Sequence, residues 1–169
     1  MTLLPIIYYP DIRLKKIAEP VTEFDLNLKK IIFNMTETMY NATGIGLAAS
    51  QVDIHKQLLI LDISKNSNKL QVFVNPKIIW YSKEKQIYNE GCLSLPGIFN
   101  KIKRSKFIRV HALNIEGKIF EIIAEGLLAI CLQHEIDHLN GKIFIEYLSN
   151  FKKERIIKKI LKKNKKIKI

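Results

Sequence analysis

Five consecutive residues, His134-Glu135-Ile136-Asp137-His138, constrain this chain more than any other stretch. Leu127, Leu128, Ile130 and Cys131 just upstream recur at helical spacing, which predicts a helix over Gly126 to Asn140 with Gly141 as its stop. On that helix His134 and His138 stand one turn apart on one face. Two imidazoles so placed can bind one metal ion, with Glu135 beside the open coordination position as a base. Two surface histidines making ordinary hydrogen bonds satisfy the same pattern, so a third ligand decides the class.

The common third ligands are missing. Metzincins place a further His six residues after the second, where this chain has Phe144. Thermolysin-like enzymes take a downstream Glu, but Glu146 is too near and Glu154 falls in a Lys-rich stretch. Cys92 and Cys131 are the soft candidates that remain. Cys131, three residues before His134 on an apolar face, reads as a small core residue. Cys92 lies in Glu90-Gly91-Cys92-Leu93-Ser94-Leu95-Pro96-Gly97, where a thiolate could reach a metal and Gly91 permits close backbone approach. Without the histidine pair, a buried free thiol would be the plainer reading of Cys92.

The rest of the chain reads as one domain. Pro10-Asp11 opens a short helical turn stopped by Pro20, and Leu28, Ile31, Ile32, Met35 and Met39 predict a helix over Asp25 to Tyr40. Strands are expected over Leu58 to Ile63 and Gln71 to Asn75, with Ser64 to Lys69 connecting them and Pro76 ending the second. Phe107 to Leu113 and Lys118 to Ala124 flank Asn114-Ile115-Glu116-Gly117, a hairpin signal. Helices and strands without regular alternation point to α+β: antiparallel or mixed sheets packed around a central metal-binding helix, with a C-terminal amphipathic helix from about Ser149 to Asn164. Residues 1–150 form the catalytic portion and 151–169 a basic helix and tail of the same domain.

Charge is distributed unevenly. Of the net +12, residues 151–169 carry +9 (nine Lys, one Arg, one Glu), leaving +3 on the body (18 basic, 15 acidic). Lys outnumbers Arg 24 to 4, a bias that A/T-rich codons would also produce. Two cysteines cannot build a disulfide framework, and no apolar run is long enough to span a bilayer. The start, with Pro5 and no basic flank, does not read as a signal peptide. A reducing cytoplasm is the expected compartment, with no DNA or membrane partner.

A third segment, Gly44-Ile45-Gly46-Leu47-Ala48-Ala49-Ser50-Gln51, lacks the third Gly of a dinucleotide fingerprint and the Gly-Lys-Ser/Thr of a P-loop. Its small residues let a backbone pass close to something, and Gln51 ends it with an amide donor; a tight turn after the preceding helix is the simpler account. Together and in this order, Gly-Ile-Gly-Leu-Ala-Ala-x-Gln, Glu-Gly-Cys-Leu-Ser and His-Glu-Ile-Asp-His-Leu-x-Gly resemble the three signature blocks of bacterial type 1 peptide deformylases, with variation only at Ser50 and Asn140.

That resemblance implies an enzyme that hydrolyses the N-formyl group from the formylmethionine of newly made polypeptides, releasing formate. It implies one divalent metal held by Cys92, His134 and His138, Fe2+ by family habit with Zn2+, Ni2+ or Co2+ as substitutes. Glu135 becomes the proton carrier, with Gln51 and the Leu93 N–H as oxyanion donors. The peptide would pair with Ile45, Gly46 and Gly91. Its methionine would enter a pocket drawn from Ile45, Tyr88, Leu127, Ile130, Cys131 and His134, with Arg104 as a further substrate contact. The basic C-terminal helix would dock on the ribosome near the tunnel exit. Two other readings compete: a generic zinc peptidase built on His134, Glu135 and His138, and an RNA-binding protein using the basic tail.

Overall fold

In the computed structural model, residues 2–64, 66 and 69–167 are described. Helix α1 spans Leu26–Asn41 and starts where Asp25 Oδ1 accepts the Leu28 N–H at 2.8 Å. It presents Leu28, Ile32, Met35 and Met39 to a five-stranded sheet, the face its periodicity assigned. The strands are β1 (Gly46–Ala48), β2 (Leu58–Leu61), β3 (Gln71–Tyr81), β6 (Phe107–Leu113) and β7 (Ile119–Glu125), hydrogen-bonded in that order and antiparallel throughout. A separate two-stranded sheet pairs β4 (Lys85–Glu90) with β5 (Asn100–Ser105).

Strand β2 explains the layering. Its four residues, Leu-Leu-Ile-Leu, are all fully buried. Alternate side chains must point to opposite faces, so Leu58 and Ile60 pack with α1 while Leu59 and Leu61 pack with α2 (Gly126–Leu139). Helix α2 adds Ala129, Leu132, Ile136 and Leu139 to that second core, which makes it the central helix expected from the histidine pair. It ends at Gly141, whose φ of +70° suits glycine. A Cβ there would lie 2.3 Å from the Lys15 carbonyl oxygen, so the glycine also lets the N-terminal turn close against the helix.

Several expectations need correction. The N-terminal turn is one 3-10 turn, Ile12–Lys15, that ends at Lys16, well before Pro20. Strand β3 does not stop at Pro76 but continues to Tyr81. Asn75 adopts φ +50° and the β3–β6 register shifts between Val74 and Lys77, so Pro76 sits in a bulge where its missing N–H breaks no ladder bond. The Gly46 segment is the edge strand β1 rather than a turn. Strands β4 and β5, Lys-Gln-Ile-Tyr-Asn-Glu and Asn-Lys-Ile-Lys-Arg-Ser, were not foreseen, because each buries too few apolar residues to show a period of two.

Helix α3 covers Asn150–Ile167. Ile156 is buried among Leu14, Leu95, Phe144 and Ile145, and Ile160 packs partly against the same cluster. The apolar stripe stops there: Leu161, expected to pack, is 47% exposed. Lys152, Lys158, Lys159 and Lys162 are exposed. The side chains of Lys163, Lys165 and Lys166, and residues 168 and 169, lie outside the described residues.

Candidate metal centre and active site

Helix α2 delivers both histidines from one face. Their rings meet edge to face at 4.9 Å between centroids, with Nε2 atoms 3.2 Å apart. Cys92 arrives on the loop directly after β4, its Sγ 3.1 Å from His138 Nε2. The three donor atoms all lie within 4.8 Å of one another. Cys131 is not among them; it lies in the α2 core, and burial pushes its thiol up to about 12, the behaviour of the small apolar residue its position predicted.

The set fits a divalent metal. One thiolate and two neutral imidazoles, leaving a fourth position open, is a ligand pattern for a first-row ion. Burial lowers the basicity of His134, but Cys92 and Glu90 outweigh it and hold its proton well above the usual histidine range. Burial, and then the charge on His134, push His138 well below that range. His138 Nδ1 and Glu135 Oε2, both buried, have no hydrogen-bond partner among the described residues.

Around the trio, each neighbour is fixed by tertiary contacts. Gln51 Oε1 accepts the Ala48 N–H at 2.9 Å, which turns Nε2 toward Cys92 Sγ (3.5 Å) and Ser94 Oγ (3.2 Å). The extended segment at Ile7 and Tyr9 stitches the two loops together, donating to the carbonyls of Gln51 and Ser94. Ser50 Oγ donates to the His138 carbonyl at 3.0 Å. Glu135 lies at the foot of the cleft, where burial pushes its carboxyl up to about 7. The Leu93 N–H beside Cys92 donates to nothing among the described residues.

A cleft of about 570 Å³ opens over these groups. Ile45, Gly46, Gln51, Tyr88, Gly91, Cys92, Leu93, Leu127, Ile130, Cys131, His134 and Glu135 all line it, so nearly every residue singled out from the sequence converges there. Arg104 does not. It is 4% exposed and grips Glu90 with Nε (2.8 Å) and Nη2 (3.0 Å) while Nη1 pairs with Asp137. Its guanidinium is held between two carboxylates and lines no part of the cleft, which is not the place expected of a substrate contact or of a solvated surface group.

Glu90 is the residue that sequence reasoning passed over. Burial opposes its ionisation, yet hydrogen bonds from His134 and Arg104 keep its carboxyl below the ordinary range. Its Oε2 lies 2.8 Å from His134 Nδ1. An ionised carboxylate only accepts, so His134 Nδ1 carries a proton and Nε2 is the atom that faces His138 and Cys92, where a metal would take the place of the second proton. The signal was its place in Glu90-Gly91-Cys92. Tyr8, Thr43 and Phe99 at the cleft mouth carried no such signal.

The family model for polypeptide deformylase matches residues 3–154. The chain belongs to that family. A peptide deformylase of Polynucleobacter necessarius is 52% identical over 167 residues, covering 99% of this chain and 98% of the relative. Peptide deformylase 1 of Burkholderia multivorans is 52% identical over 162 residues, 96% of this chain and 90% of that one. The crystal structure of a Legionella pneumophila peptide deformylase superposes with a TM-score of 0.92 at 44% identity, over 99% and 98% of the two chains. This enzyme is therefore a hydrolase that removes the N-formyl group from newly synthesised polypeptides, and its family is metal-dependent. The peptidase and RNA-binding readings fall with that result. No helix among the described residues is long and apolar enough to cross a membrane.

Proposed function

We propose that Cys92, His134 and His138 hold the catalytic metal, that Glu135 moves the proton, and that Gln51 and Leu93 receive the charge that develops on the formyl oxygen. The convergence of one sulfur and two Nε2 atoms within 4.8 Å, beside a buried carboxyl, carries this reading. A metal held there would supply Lewis acidity and would lower the pKa of a bound water toward about 7. Glu135 takes the proton from the attacking water and returns it to the leaving amine. The Gln51 Nε2, 3.5 Å from Cys92 Sγ, and the Leu93 N–H, next in the chain to Cys92, donate to the tetrahedral oxyanion. Fe2+ is the resident ion in this proposal, with Ni2+, Co2+ or Zn2+ as replacements.

The peptide lies extended between Ile45-Gly46 and Gly91. Strand β1 ends the large sheet, so the outer side of its backbone, apart from the Ala48 N–H that Gln51 takes, can receive an added strand. The methionine side chain fills the apolar end of the cleft walled by Ile45, Tyr88, Leu127, Ile130, Cys131 and His134. The catalytic portion is residues 1–150, with 151–169 as a basic helix of the same domain that docks on the ribosome in the cytoplasm. In support of that division, Ile156 and Ile160 tie α3 to the body and leave Lys152, Lys158, Lys159 and Lys162 outward.

The test is metal content of anaerobically purified protein together with turnover of formyl-Met-Ala-Ser. Cys92→Ala, His134→Ala and His138→Ala should each lose both. A variant that keeps stoichiometric metal and near-normal turnover removes its residue from the ligand set.

A further inference from the structure

Between α2 and α3 the chain makes a single 3-10 turn, Phe144–Tyr147. This turn holds His134 from two directions. Phe144, at the position where a metzincin would carry its third histidine, is buried and stacks on the His134 ring at 6.1 Å between centroids and 29° between planes. Tyr147 reaches the Nδ1 side through a chain of ion pairs. Its hydroxyl donates to Asp137 Oδ2 at 2.9 Å, and its ring covers the Arg104 guanidinium at 4.7 Å. Arg104 binds that same Asp137 oxygen and both oxygens of Glu90, and Glu90 Oε2 accepts from His134 Nδ1.

We propose that Tyr147 is a positioning residue for the metal centre, holding the Arg104 fork that fixes Glu90 and, through it, the orientation of His134. The inference rests on the reading of Cys92, His134 and His138 as metal ligands. Its physical basis is the crowding around Arg104. Two carboxylates share one guanidinium, and a planar guanidinium bound in a fork fixes the geometry of the groups it holds. Tyr147 donates to the same Asp137 oxygen that Arg104 binds and covers the guanidinium face. At 51% exposure it is also poorly placed to serve as core packing. Loss of that cover lets water compete for Arg104 and lets Glu90 turn, so the Nε2 lone pair of His134 is no longer held at one bearing.

The test loads wild type, Tyr147→Phe and Tyr147→Leu with Co2+. It reads the thiolate-to-cobalt absorption band, the rate at which excess EDTA strips the ion, and the unfolding temperature of the metal-free protein. Tyr147→Leu should shift the band and release Co2+ about 10-fold faster, the low end for partners of metal ligands. Tyr147→Phe, which keeps the ring and loses only the Asp137 hydrogen bond, should fall between. Arg104→Lys, which keeps the charge and loses the fork, should release at least as fast as Tyr147→Leu. Bands and release rates equal to wild type in both tyrosine variants overturn the proposal. So does faster release that merely tracks a fall in metal-free unfolding temperature. A wild type with no thiolate band overturns the ligand reading itself, whereas a normal band with unchanged variants defeats only the role of Tyr147.

Discussion

Gly46 and Glu135 stand in contact across the cleft floor: a carbon at the missing Cβ of Gly46 would lie 2.6 Å from Glu135 Oε1 and 3.1 Å from its carboxyl carbon. Leu61 Cδ2, at 2.9 Å, closes the other side. The added methyl of Gly46→Ala therefore has to move either the carboxyl group or strand β1. Misplacing a reacting group by about 1 Å can cost 10²-fold, so turnover of formyl-Met-Ala-Ser should fall by about that factor with metal content intact. Normal turnover in this variant would show that the Glu135 position is not critical.

Glu135→Gln should keep its metal and lose roughly 10²-fold or more in rate, because the amide cannot take the water's proton. Steady-state kinetics beside metal analysis separates this from a ligand loss. A Gln variant with unaltered kinetics would end the proton-carrier role.

Gln51→Ala removes an amide whose direction is set by the Ala48 N–H. The expected loss is in kcat, about 10²–10³-fold, as for other single oxyanion donors. A change confined to KM would place Gln51 in ground-state binding instead.

Asp62 supplies a pH signature in stability. Burial opposes its ionisation, but donors from Ser64, Tyr40 and the Lys69 backbone hold its carboxyl down at about 2. The ordinary value is about 3.9, so the unfolded chain takes up the proton first. The stabilisation is complete above that value and disappears as pH falls through about 2. Urea unfolding should find Asp62→Asn less stable than wild type at pH 5 and the gap shrinking at pH 3 and pH 2. A gap independent of pH would assign the effect to something other than the carboxylate.

For the tail, Lys→Gln replacement at Lys158, Lys159, Lys162, Lys163, Lys165 and Lys166 should leave hydrolysis of a free formyl-peptide nearly unchanged. Co-sedimentation with ribosomes should weaken, and the wild-type interaction should fall steeply with salt, because each neutralised phosphate releases counterions. Truncation after Asn150 is the stronger form of the same test. Ribosome association that survives the full series at moderate salt would make α3 a packing helix only.

The sequence by itself determined what depends on near neighbours along the chain. The α1 and α2 helices follow from apolar spacing, the β6–β7 hairpin from Asn114 and Gly117, and the His134–His138 pair from one helical turn. The three signature blocks carried the family because each is short and contiguous. Tertiary structure decided whatever depends on partners far apart. Strands β4 and β5 are too polar to announce themselves, and they form because each pairs with the other beside α2. Cys92, rather than Cys131, joins the histidines because its loop folds over α2 while Cys131 packs between the core and the cleft wall. Arg104 reads as a surface cation by residue type. It is buried because Glu90, 14 residues before it, and Asp137, 33 after it, close around its guanidinium, and an unpaired charge could not stay there.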